Sequence, residues 1–221
     1  MAEKEKIFVF DLDGTLADTA PALLNAGNQI LKNIGRDPIN LEQYKGFIGG
    51  GTKKQVEKLL ISTGGIPDRG LDFYFKVFQN LYHEDPVKGC SLYKGVEELI
   101  ELLKSKGVKL TICTQKFESS AKKVLLHLNV YHKFDGFAFG DSTKVLKPDP
   151  KVFYHSVRGL GNGRYFYVGD TTIDLLLAKA VGASFFFHKM GYAPQTVEKA
   201  GIDYSFDSFS ELSRYFEQNL A

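Results

Sequence analysis

The chain has 221 residues, enough for one substantial core with an inserted module, and its 43% apolar and 24% charged content excludes disordered, collagen-like and disulfide-stapled classes. Lys and Arg total 28 against 26 for Asp and Glu, a net charge of +2 with no extended basic block, so nucleic acid is not an expected partner. No apolar run approaches the roughly 20 residues of a membrane span, the mixed charges of Met1 to Lys6 do not read as a signal or transit peptide, and two distant cysteines, Cys90 and Cys113, fit a reducing cytoplasm rather than a zinc site.

The first element is Ile7-Phe8-Val9-Phe10, a continuous apolar run that reads as a buried strand and breaks off at Asp11-Leu12-Asp13-Gly14. The pattern then turns helical, over residues 20–34 closing at Gly35, 52–62 closing at Gly64-Gly65, and 71–82 stopping before Pro86. A helix over 95–103 with its stop at Gly107 leads to a strand over 108–113 that ends at Thr114. A helix over 119–128 and a short strand over 136–139 follow, then strands over 165–168, ending at Gly169-Asp170, and over 183–187, ending at His188.

Strands alternating with helices predict an α/β fold with a parallel sheet covered on both faces. Roughly ninety residues separate the first strand from the second, where a right-handed crossover needs only a dozen or more. The expected organisation is therefore a Rossmann-like core from residues 1–16 and 88–221, with an all-helical cap over 17–87. Such a module beside a strand end suits a lid that excludes water, and a static decoration is the competing reading.

Side chains two apart on an extended segment point to the same side, so Asp11 and Asp13 can converge while Leu12 packs inward. A carboxylate needs no base to act as a nucleophile, and its obstacle is repulsion from an anionic phosphoryl group. A Mg2+ ion held by oxygen ligands offsets that repulsion. The second carboxyl can protonate the leaving oxygen and then take a proton from the attacking water. Gly14 lets the chain turn sharply, with backbone N–H groups facing the phosphate. Taken alone, two acids after a strand are also compatible with a solvated turn.

The stretch Asp11-Leu12-Asp13-Gly14-Thr15-Leu16-Ala17-Asp18-Thr19 resembles the first motif of the haloacid dehalogenase superfamily of phosphohydrolases. Further matches follow in order: Thr114-Gln115-Lys116, Lys147-Pro148-Asp149-Pro150, and Gly169-Asp170-Thr171-Thr172-Ile173-Asp174. The helical insert resembles the cap of the phosphoglycolate phosphatase-like branch. The resemblance implies Asp11 as nucleophile and metal ligand, and Asp13 as acid and base with its main-chain carbonyl also on the metal. It implies Thr114 on the phosphoryl group, Lys147 as the positive charge there, Asp170 as a direct Mg2+ ligand, and Asp174 as support for the metal or for Lys147. Gln115 stands where relatives frequently carry Asn, and the longer side chain bears on its contact to phosphate.

In the cap, the run from Lys45 to Lys54 combines glycines with three lysines ahead of a helix, and relatives use this region to select substrate. Lys53 and Lys54 are candidate contacts for an anionic tail on the substrate, with a flexible turn bearing solvated lysines as the alternative. Five histidines, among them His127, His132 and His188, show no pairing with a nucleophile and read as structural or exposed.

The expected activity is Mg2+-dependent hydrolysis of a small phosphorylated metabolite through an aspartyl-phosphate, with 2-phosphoglycolate implied by the resemblance. Pyrophosphate, nucleotides and sugar phosphates are alternatives, as is a phosphosugar mutase using the same nucleophile. Halide removal and a non-enzymatic binding role fit the acidic set less well. The expected state is a monomer or homodimer in the cytoplasm, with neither membrane nor nucleic acid as partner.

Overall fold

The computed structural model describes residues 5–48, 50–192, 197 and 200–219. Of the stretches singled out in the sequence, residues 1–4 at the amino terminus and Gly49 of the glycine run lie outside the described residues. The chain divides into two compact units, Met1–Asp18 with Ser91–Ala221, and Thr19–Cys90.

In the first unit the strands are β1 (Glu5–Phe10), β2 (Ala17–Asp18), β3 (Ser91–Leu92), β4 (Lys109–Cys113), β5 (Gly136–Ala138), β6 (Gly163–Gly169), β7 (Ser184–His188) and β8 (Tyr204–Phe206). Six of them form one sheet in the order β5-β4-β1-β6-β7-β8, and every pairing in it is parallel. β2 and β3 make a separate two-stranded antiparallel ribbon, pairing Ala17 with Leu92 and Asp18 with Ser91.

β1 is apolar without alternation because both of its faces are covered. Phe8 and Phe10 join Leu110, Ile112, Phe166, Val168 and Phe186 in one core cluster, with Leu99 and Leu103 of helix Val96–Ser105 and Leu212 and Phe216 of helix Phe209–Asn219. Phe8 stacks on Phe166 at 4.5 Å between ring centroids and meets Phe216 edge-on at 4.8 Å. Ile7 and Val9 face the opposite cluster, with Tyr167, Phe185, Phe153 of helix Pro150–Ser156, and Leu175 and Ala178 of helix Thr172–Val181. Burial of each such side chain contributes on the order of 1.5–3 kcal/mol, so the two clusters fix β1 in the centre of the sheet. That central place puts the Asp11 loop between two neighbours.

The second unit is helical, with α1 (Ala20–Asn33), α2 (Leu41–Lys45), α3 (Thr52–Ser62) and α4 (Leu71–Glu84). α1 carries a proline in its first turn, and α2 opens with a reciprocal cap in which Asn40 Oδ1 accepts from the Gln43 amide while Gln43 Oε1 accepts from the Asn40 amide, both at 2.9 Å. Its buried apolar residues include Leu23, Ala26, Ile30 and Leu31 of α1, Val56, Leu59 and Leu60 of α3, and Tyr74, Phe78 and Tyr82 of α4. Among the described residues no helix is long and apolar enough to cross a membrane.

Continuing in chain order within the first unit, the helices are α5 (Val96–Ser105), α6 (Glu118–His127), α7 (Pro150–Ser156), α8 (Thr172–Val181) and α9 (Phe209–Asn219). α5 and α9 supply residues to the cluster around Phe8, and α7 and α8 supply residues to the cluster around Ile7.

Candidate active site

Strand order reverses at β1: β4 and β5 lie on one side, and β6, β7 and β8 on the other. A parallel sheet binds ligands beyond its carboxyl ends at such a reversal. Asp11 follows β1, Thr114 follows β4 and Asp170 follows β6, so three of the residues singled out by sequence emerge at that point. Lys147 comes from the connection between β5 and α7.

The loop after β1 turns back at once. The amides of Thr15, Leu16 and Ala17 all donate to the Leu12 carbonyl, at 3.3, 3.0 and 3.0 Å, and the Gly14 amide donates to Ala17 O at 2.9 Å. Gly14 makes this turn at φ +84°, and a Cβ there would run into the Asp170 carboxylate. His188 at the end of β7 sits with Nδ1 2.9 Å from the Gly14 carbonyl; the carbonyl can only accept, so Nδ1 carries the proton. Burial pushes this imidazole down to about 4, which keeps the ring neutral. The histidine thus holds the loop from behind.

Asp11, Asp170 and Asp174 are all buried, and each offers a carboxylate oxygen within 4.8 Å of the others. Lys147 Nζ lies 3.1 Å from Asp11 Oδ1 and 2.7 Å from Asp174 Oδ1. Burial alone would push the lysine toward its neutral form, but Asp11 and Asp174 outweigh it and hold the ammonium above its ordinary value. Burial raises Asp11 to about 7, against the pull of Lys147, with Asp174 and Asp13 adding to the rise. Burial also pushes Asp170 well above the usual carboxylate range, reinforced by Asp174 and Asp11.

The two acids after β6 are used differently. Asp170 accepts the Thr15 hydroxyl on Oδ1 at 2.8 Å and the Tyr192 amide on Oδ2 at 2.8 Å. Each oxygen keeps a lone pair for another partner. Asp174 accepts four donors: Lys147 and Tyr167 on Oδ1 at 2.7 and 3.1 Å, and the Thr171 amide and hydroxyl on Oδ2 at 3.1 and 2.6 Å. The bond from the Thr171 amide is half of the capping box that starts α8, and the Asp174 amide completes the box by donating to Thr171 Oγ1 at 3.4 Å. With its oxygens filled in this way, Asp174 suits orienting Lys147 better than direct coordination of a metal.

Asp13 turns its carboxylate to Lys116, whose Nζ is 2.8 Å from Oδ1. Thr114 is buried and its hydroxyl accepts from the Lys116 amide at 3.2 Å. Gln115 donates its side-chain amide to the Lys147 carbonyl at 3.0 Å and so braces the segment carrying the lysine. Lys53 and Lys54 stand in the first turn of α3 in the helical unit, where Lys53 pairs with Asp72 at 2.5 Å between exposed side chains.

The residues fit a divalent cation. Asp11, Asp170 and Asp174 bring carboxylate oxygens within 4.8 Å of one another, and burial together with their mutual repulsion pushes Asp11 and Asp170 up, a strain that a cation among them relieves. Asp11 Oδ1 is buried with no hydrogen-bond donor aligned to it among the described residues. An oxygen-only donor set is the kind that Mg2+ prefers.

Sequence reasoning missed Lys116, Tyr167, Thr15 and Tyr192. Lys116 lies in the quoted Thr114-Gln115-Lys116 stretch, where a lysine directly after a buried strand is itself a signal. Tyr167 is buried in β6 beside Phe166 and Val168, and a buried tyrosine hydroxyl needs a partner. Tyr192 carried no signal, because its amide reaches Asp170 only through the folded loop after β7.

Residues 8–187 match the family of haloacid dehalogenase-like hydrolases. A phosphoglycolate phosphatase of Cereibacter sphaeroides is 33% identical over 215 residues, covering 96% of this chain and 98% of that protein. A phosphoglycolate phosphatase of Aquifex aeolicus is 33% identical over 189 residues, covering 85% and 86%. In fold, the chain is similar to the crystal structure of a predicted phosphoglycolate phosphatase from Haemophilus somnus, with a TM-score of 0.87 at 24% identity over 97% of this chain and 99% of that one.

Proposed function

The chain belongs to the haloacid dehalogenase-like hydrolases and is a phosphatase of that family, and on that premise we propose that it hydrolyses 2-phosphoglycolate through a phosphorylated Asp11 with Mg2+ as cofactor. The observation that carries the chemistry is the buried meeting of Asp11, Asp170 and Asp174 carboxylate oxygens within 4.8 Å of one another, with the Lys147 ammonium 3.1 Å from Asp11. The substrate is supported by relatives named phosphoglycolate phosphatase that align along nearly the whole chain.

In this reading Asp11 attacks phosphorus, and the bond from phosphorus to the ester oxygen breaks. Asp13 gives its proton to that oxygen, which leaves as the glycolate hydroxyl. A water then attacks the phosphorus of the aspartyl-phosphate, Asp13 takes its proton, and the bond to Asp11 breaks to release inorganic phosphate. Lys147, held by Asp174, keeps a positive charge beside Asp11 throughout. Thr114 and the side-chain amide of Gln115 receive the phosphoryl oxygens, the Gly14 amide being taken by the Ala17 carbonyl. Asp11, Asp170 and the Asp13 carbonyl would hold Mg2+, which when bound screens the attacking carboxylate from the phosphoryl charge. The enzyme works in the cytoplasm as a monomer or homodimer.

The test is a panel of phosphorylated metabolites assayed with wild type and Asp11→Asn, with and without Mg2+, followed by hydroxylamine treatment of acid-quenched enzyme. The expected result is release of phosphate from 2-phosphoglycolate above the rest of the panel, no turnover by the variant, and a hydroxylamine-labile phosphoryl group on wild type alone. Turnover by Asp11→Asn, undiminished activity in chelator, or return of a labelled sugar phosphate as its isomer instead of free phosphate would each overturn it.

A further inference from the structure

Lys116 reaches from the end of β4 across to the loop after β1 and places Nζ 2.8 Å from Asp13 Oδ1, with only 4% of its side chain exposed. Its backbone is pinned on both sides: the amide donates to Thr114 Oγ1 at 3.2 Å, and its carbonyl accepts from the Gly140 amide at 2.8 Å. Gly140 itself packs so closely on the Gln115 carbonyl that a Cβ would collide with it. Asp13 is held from its own side by the turn closed between Gly14 and Ala17. Two rigid segments therefore fix both ends of the Lys116–Asp13 pair. A buried ammonium is costly to desolvate, and an apolar pair of similar volume would serve packing at least as well.

We propose that Lys116 is a positioning residue that holds the Asp13 carboxyl on the line along which it hands a proton to the departing ester oxygen. The proposal rests on the reading of Asp13 as the acid. One Asp13 oxygen is engaged by the ammonium, and the carboxyl thereby loses its freedom to rotate away between turnovers. A second role for the same lysine, direct contact with the phosphoryl group, makes a different prediction, because such a contact would serve every phosphate ester alike.

The leaving group separates these roles. An alkyl phosphate expels a strongly basic alkoxide and depends on the acid, whereas a nitrophenyl phosphate expels a phenolate that departs unaided. The measurement is kcat/KM for both esters, since this quantity ends at the first irreversible step and reports leaving-group departure. Proton transfer by a positioned acid contributes about 10²–10⁴-fold, so Lys116→Met is expected to lower kcat/KM for the alkyl ester by about tenfold or more relative to the aryl ester. Lys116→Arg, which keeps the charge, is expected to recover most of that selectivity, and Lys116→Gln carries the comparison if the methionine variant does not fold. Equal losses on both esters, or a loss confined to KM, would overturn the positioning role. Asp13→Asn is the reference: if it shows the leaving-group selectivity and Lys116→Met does not, only the role of Lys116 fails, and if Asp13→Asn lacks it, the assignment of the acid fails.

Discussion

Tyr167, in the middle of the sheet, donates its hydroxyl to Asp174 Oδ1 at 3.1 Å, the same oxygen that takes the Lys147 ammonium at 2.7 Å. The phenol also lies 3.3 Å from the Cys113 carbonyl and 3.4 Å from Lys147 Nζ. A strand residue facing the core on one side of the sheet thus reaches the charged group at its end, and ties the lysine to the scaffold through a second partner.

Tyr167→Phe removes that hydroxyl and keeps the ring packed on Phe153 and Phe185. One lost hydrogen bond to a charged group costs about 1.5–3 kcal/mol, so thermal denaturation is expected to show a folded protein with a lowered midpoint. Turnover should fall through kcat, because Lys147 is less well held, while KM changes little. An unchanged kcat would show that Asp174 orients the lysine without the phenol.

The crowded carboxyls make the metal-free protein sensitive to pH. Asp11 moves from 3.8 when unfolded to about 7 when folded, because burial disfavours its anion. The folded state therefore holds a proton that the unfolded state has released, and the stability it brings is complete below about 4 and is lost as pH rises through about 7. The rise at Asp170 acts in the same direction. Metal-free protein is expected to melt at progressively lower temperature from pH 4 to pH 8, a loss of a few kcal/mol. Saturating Mg2+ should flatten the profile and add about 2.7 kcal/mol at a hundred times its dissociation constant. A flat profile without metal, measured by calorimetry in chelator, would count against the buried anionic cluster.

Gly14 and Gly107 offer a paired comparison. Both have positive φ, +84° and +72°, but a Cβ at Gly14 strikes Asp170 while at Gly107 nothing lies within 4 Å. Each alanine variant should lose about 1–2 kcal/mol from left-handed backbone strain. Gly14→Ala is expected to weaken Mg2+ binding and turnover in addition, as Asp170 must move, whereas Gly107→Ala keeps both. Titration calorimetry with Mg2+ on the two variants checks this, and equal metal affinity in both would remove Gly14 from the site.

Much of the frame was legible before any coordinates. The buried strands at Ile7 and Leu110 announce themselves by runs of apolar residues, and the helices over Leu99 and Leu59 by their three-and-four spacing. β8 did not, since Tyr204–Phe206 is three residues long and pairs only at the sheet edge. α9 carries a readable signal in Phe209, Leu212 and Phe216, buried residues three and four apart. Within the site, Asp11, Thr114, Lys147 and Asp170 could be picked out because each sits at a break between an apolar run and a loop or in a recognisable motif.

By itself the sequence determined where the acidic residues fall, at the ends of successive apolar runs, and it carried the motifs that resemble a phosphohydrolase family. Only the tertiary structure decided how those groups divide the work. Asp170 keeps open lone pairs while Asp174 is filled by four donors, and Asp13 is engaged by Lys116 while Asp11 Oδ1 has no aligned donor among the described residues. The physical reason is that hydrogen bonds saturate and act over about 3 Å: which oxygen meets which donor depends on side chains brought together from positions more than a hundred residues apart, as Lys116 and Asp13 are.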